Sequence, residues 1–242
     1  MICFSFDTDH LDEGRMEEFL AQVPVPGRAT FFCTQRYECL ARSDHELGPH
    51  AYLPSSGGDW DTELREKRDL FPQAVGWRSH SCVFSHLIAE DVAKLGYRYM
   101  STFEELGRPQ PQPFRQTWGN WHLPVYYMDN LDFSGPRFYP DAPAPFSREL
   151  ITRSLAGDGI YVYAFHPIHL LLNSPNAETY FELRERWHRG EPVESLRFDG
   201  YGTRSFYDEL IGAMGRAGFR SAALADGLEA HLARTAGPAA PQ

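Results

Sequence analysis

Short apolar runs alternate with amphipathic stretches along most of this chain. Residues 2–6, 29–33, 46–48, 75–78, 97–101, 121–127 and 160–165 have the length and apolar content of buried strands. Between them, residues 11–23 place Leu11, Met16, Phe19, Leu20 and Val23 at helical spacing. Residues 35–42 read as a short helix. A longer one runs to Leu70, with Asp61 or Thr62 as its cap. Residues 83–95 carry an apolar stripe of Phe84, Leu87, Ile88, Val92 and Leu95. Residues 147–155 and 177–188 follow, the latter with Tyr180, Leu183 and Trp187 on one side. Residues 206–217 and 222–235 read as closing helices. Proline-rich stretches at 108–114 and 136–145 interrupt the pattern and read as surface loops.

Strands alternating with helices predict a parallel α/β architecture. The polar residues have a common location within that pattern. Asp7 and Asp9, His50, Arg78 and His80, Asp129, and His166 and His169 all follow apolar runs. A (β/α) barrel collects such ends at one rim, and an open doubly wound sheet could do the same. No glycine-rich phosphate loop follows the first strand, which argues against a nucleotide fold. The 242 residues suffice for one large core. We read residues 1–236 as a single catalytic domain and 237–242 as a flexible tail.

Composition narrows the partners. The formal net charge is −10 and no basic tract occurs, so nucleic acid is not expected as a partner. Cys3, Cys33, Cys39 and Cys82 have neither zinc-motif nor disulfide-framework spacing, and reduced thiols are expected. No stretch approaches a membrane span, and no leader pattern precedes the first strand. A cytoplasmic location is the expectation.

Five segments together resemble the polysaccharide deacetylase superfamily, the NodB-homology esterases of carbohydrate esterase family 4. The resemblance is closest to its WbmS-like branch and spans about residues 2–173. Phe6-Asp7-Thr8-Asp9 resembles the family's paired acids, which implies Asp7 as base and Asp9 as metal ligand. Asp44-His45-Glu46-Leu47-Gly48-Pro49-His50 is similar to the second motif and puts His50 on a metal histidine. Pro54 stands where the family has another histidine. Arg78, in Gly76-Trp77-Arg78-Ser79, matches the arginine that orients the base. Trp121-His122-Leu123-Pro124 resembles the motif that lines the sugar pocket, implying Trp121, with Tyr52 as a second substrate contact. Phe165-His166-Pro167 resembles the last motif, with His166 as general acid. The resemblance implies a distorted barrel of seven or eight strands, one divalent metal ion and removal of N-acetyl groups from amino sugars.

The chemistry is consistent with these residue types. An amide is a poor electrophile, and a divalent metal both polarises its carbonyl and acidifies a bound water. A carboxylate can take the water's proton, and a histidine can protonate the departing amine. Mixed histidine and carboxylate ligands favour zinc. For the third ligand we rank His10 first, then His169 and His80; His45 is a further metal or supporting candidate. The competing roles are ordinary ones: helix capping for Asp7 or Asp9, a hydrogen-bonded loop histidine for His50, a surface ion pair for Arg78, core packing for Trp121. Tyr161 and Tyr163 are expected to pack against helices. The expected function is a metal-dependent N-deacetylase of surface-polysaccharide biosynthesis, acting on a small or short oligosaccharide substrate. An amidase for a non-sugar amide and a non-catalytic carbohydrate binder are the alternatives.

Overall fold

The computed structural model describes residues 1–53, 59–134 and 144–236. Pro54, most of the second proline-rich stretch and the C-terminal tail lie outside the described residues. The strands are β1 (Ile2–Asp7), β2 (Thr30–Cys33), β3 (Glu46–Ala51), β4 (Gly76–Ser79), β5 (Tyr99–Met100), β6 (Phe114–Arg115), β7 (Trp121–His122), β8 (Val125–Met128) and β9 (Tyr161–Phe165). They form one sheet in the order β6-β7-β5-β4-β3-β2-β1-β9-β8. Every pairing is parallel except β6 with β7. The sheet curls until the segment after β5 meets β8. Val125 N donates to Phe103 O at 2.8 Å, and Glu105 N donates to Val125 O at 2.8 Å. This is the expected distorted barrel, with the parallel ring supplemented by one short antiparallel edge.

Strand parity divides the core in two. Ile2, Phe4 and Phe6 of β1 face the helices, together with Tyr161, Tyr163 and Phe165 of β9. Cys3, Phe32, Tyr99, Val125, Val162 and Ala164 fill the barrel interior. Both faces of β1 and β9 are therefore buried, which is why they read as nearly unbroken apolar runs. The last helix, Leu224–Thr235, plugs the floor of the barrel with Leu224 and Leu228. Its first turn is tied to the sheet by Leu224 N on Thr30 Oγ1 (2.8 Å) and Ala225 N on Glu46 Oε2 (3.0 Å). Gly227 is required there, because a Cβ would lie 2.8 Å from Cys3 Sγ. With the floor plugged, the opposite rim is the end open to a substrate.

Local signals place most helices. Asp12 caps Glu13–Gln22 by accepting from Arg15 N at 2.8 Å, which leaves Asp7 and Asp9 out of that role. Asp59, rather than Asp61 or Thr62, caps Trp60–Leu70. Ser147 caps Arg148–Ala156, and Asn176 caps Ala177–His188. A further expectation fails: the run at 121–127 is two strands. Pro124 has no N–H to give a ladder, and the chain crosses there from the β5 side to the β9 side of the barrel. All four cysteines are unpaired, with Cys3 and Cys33 buried. Among the described residues no helix is long and apolar enough to cross a membrane.

Candidate active site at the strand ends

β1 and β9 end side by side, with Phe6 paired to Phe165, so Asp7 and His166 emerge at the same level. On the other side, His50 of β3 is the register partner of Arg78 of β4. Parallel register thus brings four residues, distant in sequence, to one rim.

Arg78 is fully buried and reaches across the interior. Its Nη1 donates to Asp7 Oδ1 at 2.9 Å and to Ser5 Oγ at 2.8 Å. Its Nε and Nη2 donate to Ser101 O (2.6 Å) and Ser101 Oγ (2.8 Å). The guanidinium lies over the Phe32 ring at 4.5 Å. So dense a set of bonds fixes the Asp7 carboxylate and compensates for burying the pair. Ser5 and Ser101 were not singled out in the sequence, although Ser5 has the inward parity of Asp7.

Asp9 sits just past β1 and is buried. Its Oδ2 lies 3.1 Å from His50 Nε2, and its Oδ1 lies 3.2 Å from His80 Nδ1. The Tyr52 hydroxyl donates to the same Oδ1, and the Tyr52 ring stacks on His80 at 4.2 Å. Burial opposes the charge on Asp9. The adjacent His50, His80 and His166 outweigh it and hold the carboxyl well below the usual carboxylate range.

Asp9, His50 and His80 offer ligand atoms all within 4.8 Å of one another. His80 Nδ1 is buried and has no hydrogen-bond partner, although it lies beside Asp9. One carboxylate and two imidazoles, with a ring nitrogen left unsatisfied, suit a divalent cation of the zinc type.

Across the cleft, His166 Nε2 is 3.8 Å from Asp9 Oδ2. Its Nδ1 bonds Asp129 Oδ1 at 2.7 Å, and its backbone N–H donates to Asp129 Oδ2 at 2.8 Å. Burial would lower the His166 pKa, but the Asp129 carboxylate outweighs it and pushes the imidazole up to about 9. His169 stands beside it, with Nδ1 3.1 Å from Ser174 Oγ; there burial wins and lowers the pKa to about 3. Asp129, His166 and His169 also converge closely enough to hold an ion, but Asp129 already engages the His166 ring and main chain.

The other sequence candidates lie elsewhere. His10 has a positive φ of 62°, and its ring packs on His188 at 5.3 Å. It lines the cleft but does not belong to either cluster of potential ligands. His45 precedes β3 and accepts from Ala29 N at 3.3 Å. Five residues of strand, about 16 Å, separate it from His50. Trp121 lies below the rim, 5.4 Å from the His231 ring on the floor helix, and is not part of the cleft wall. Tyr52, in contrast, is on that wall.

The cleft holds about 370 Å³. Ala177, Tyr180, Phe181 and Arg184 form its far side, at i, i+3, i+4 and i+7 of the helix Ala177–His188. In the sequence the packing stripe of this helix, Tyr180, Leu183 and Trp187, masks the adjoining stripe that faces the cleft. Asp129 was noted as a strand-end acid without a role.

Comparison with known proteins accords with this fold. A solved structure of a candidate polysaccharide deacetylase involved in O-antigen biosynthesis, from Bordetella bronchiseptica, superposes with a TM-score of 0.69 at 23% identity. The match covers 87% of this chain and 89% of that one. A second candidate polysaccharide deacetylase, from Mycobacterium smegmatis, gives a TM-score of 0.48 at 17% identity over 91% of each chain. A 4-alpha-glucanotransferase from Thermococcus litoralis gives 0.51 at 11% identity, covering 95% of this chain and 38% of that one. No curated protein matches the sequence. The family model described as WbmS-like polysaccharide deacetylase matches residues 6–184, a span that includes both histidine clusters and the cleft-facing helix stripe. The chain belongs to the WbmS-like polysaccharide deacetylase family.

Proposed function

We propose that this protein is a divalent-metal-dependent hydrolase that removes an N-acetyl group from an amino sugar during surface-polysaccharide assembly. The observation that carries the reading is the facing pair of clusters, Asp9–His50–His80 and Asp129–His166, with His166 Nε2 3.8 Å from Asp9 Oδ2. Asp9, His50 and His80 would hold the ion, which supplies Lewis acidity and a more acidic water. Zinc fits the donor set.

The protein groups divide the remaining work. Asp7, held by Arg78, accepts the proton of the attacking water. The amide C–N bond then breaks, and His166 Nε2 supplies the proton that the departing amine needs. Asp129 keeps that proton on His166 at neutral pH by raising its pKa to about 9. Tyr52 holds Asp9 and His80 in place through its hydroxyl and its ring. The cleft volume suits one sugar ring with its acetamido group. Family membership supports a deacetylase, and the Bordetella relative supports the polysaccharide setting.

The test is metal analysis of the purified protein, followed by acetate release from N-acetylhexosamines with and without a chelator. Acetate release that chelation stops supports the reading. Bound metal with turnover of a non-sugar amide alone would favour the amidase, and sugar binding without acetate would favour a binder.

A further inference from the structure

Arg184 lies in the cleft on the helix stripe described above. Its guanidinium carbon is 5.0 Å from the Phe181 ring centre and 5.6 Å from that of Tyr180. Its Nε is buried and makes no hydrogen bond. Among the described residues no carboxylate forms an ion pair with it, whereas the neighbouring Arg186 and Arg189 both pair with Glu191. A half-buried guanidinium with an unsatisfied N–H is costly unless something else supplies an acceptor. The aromatic rings hold it in position, and the Tyr180 hydroxyl is a neutral acceptor beside it, but neither supplies a counter-charge or a partner for Nε.

We propose that Arg184 is a specificity residue that binds an anionic group, carboxylate or phosphate, carried by the amino-sugar substrate. The planar fork of an arginine matches both groups, and it shares the cleft wall with Tyr52 and His166. With a formal net charge of −10 the protein repels anions at long range, so a local cation is the means by which an anionic substrate would be retained. The favoured substrate class is thus a uronic-acid amino sugar or a phosphate-linked one, rather than a neutral monosaccharide. This inference rests on the sugar-binding part of the proposed function, not on catalysis.

Binding is therefore measured by calorimetry for three probes: N-acetylglucosamine, N-acetylglucosamine 1-phosphate and an N-acetylhexosaminuronic acid. The wild-type protein should prefer at least one charged probe by about tenfold or more, and the preferred probe identifies phosphate or carboxylate as the source. In Arg184→Gln the ratio of charged to neutral affinity should fall toward one, and Arg184→Lys should restore part of it. Equal affinities in the wild type, no binding of any probe, or a preference that survives in Arg184→Gln would overturn the proposal. Acetate release is followed in parallel. A charge preference without acetate from any probe would count against the hydrolase reading alone, and acetate without a charge preference against Arg184 alone.

Discussion

The two carboxylate–histidine clusters at the rim have the same composition, one Asp and two His, yet their wiring differs. In the first, Asp9 bonds His50 Nε2 and the Tyr52 hydroxyl, while His50 Nδ1 and His80 Nδ1 have no hydrogen-bond partner. In the second, Asp129 is consumed by His166, and His169 is tied to Ser174. The first leaves ring nitrogens without a partner; in the second the Asp129 carboxylate is matched by the His166 ring and main chain. Residue type therefore does not separate the proposed metal site from the proposed acid–base pair. The hydrogen bonds already spent on each side chain do.

The largest expected effect is in the first cluster. Asp9→Ala should empty the site of zinc and reduce acetate release by more than about 10³-fold, read by metal analysis and a coupled acetate assay. His166→Ala should keep the metal while kcat falls about 10²- to 10⁴-fold. Metal loss in both variants would erase the distinction between the clusters.

A finer test uses pH. His166 must be protonated to donate, and its pKa is about 9, so activity should persist through neutral pH and fall as pH rises past that value. Asp129→Asn removes the largest of the charges that raise this pKa, leaving Asp7, Asp9 and the burial that lowers it. The alkaline limb of kcat should then move down by more than about one pH unit. An unmoved limb would mean that Asp129 does not set the proton on His166. The smallest effect is expected for His10→Ala, with unchanged metal content, because the ring is turned toward His188.

That last residue marks the limit of what the sequence conveyed. The apolar runs of β1 and β9 located Asp7, Asp9 and His166, because strands buried on both faces must end where polar residues begin. His50 and Arg78 lie inside β3 and β4 and were legible through the motifs that resemble the family's. The choice among His10, His169 and His80 depended on backbone turns. His10 and Ser81 both have positive φ, 62° and 53°, and such turns leave no periodic trace. Trp121 was misplaced because Pro124 splits its run, leaving the tryptophan below the rim. Arg184 was within reach of a helical-wheel argument, but the packing stripe beside it dominated the pattern.

The most direct measurement is the anomalous scattering of crystals loaded with zinc. The account predicts one peak with Asp9, His50 and His80 donors at about 2.0–2.3 Å, and His166 still bonded to Asp129. An ion seated instead among Asp129, His166 and His169 would contradict it, since the residue assigned to deliver the proton would then be a ligand.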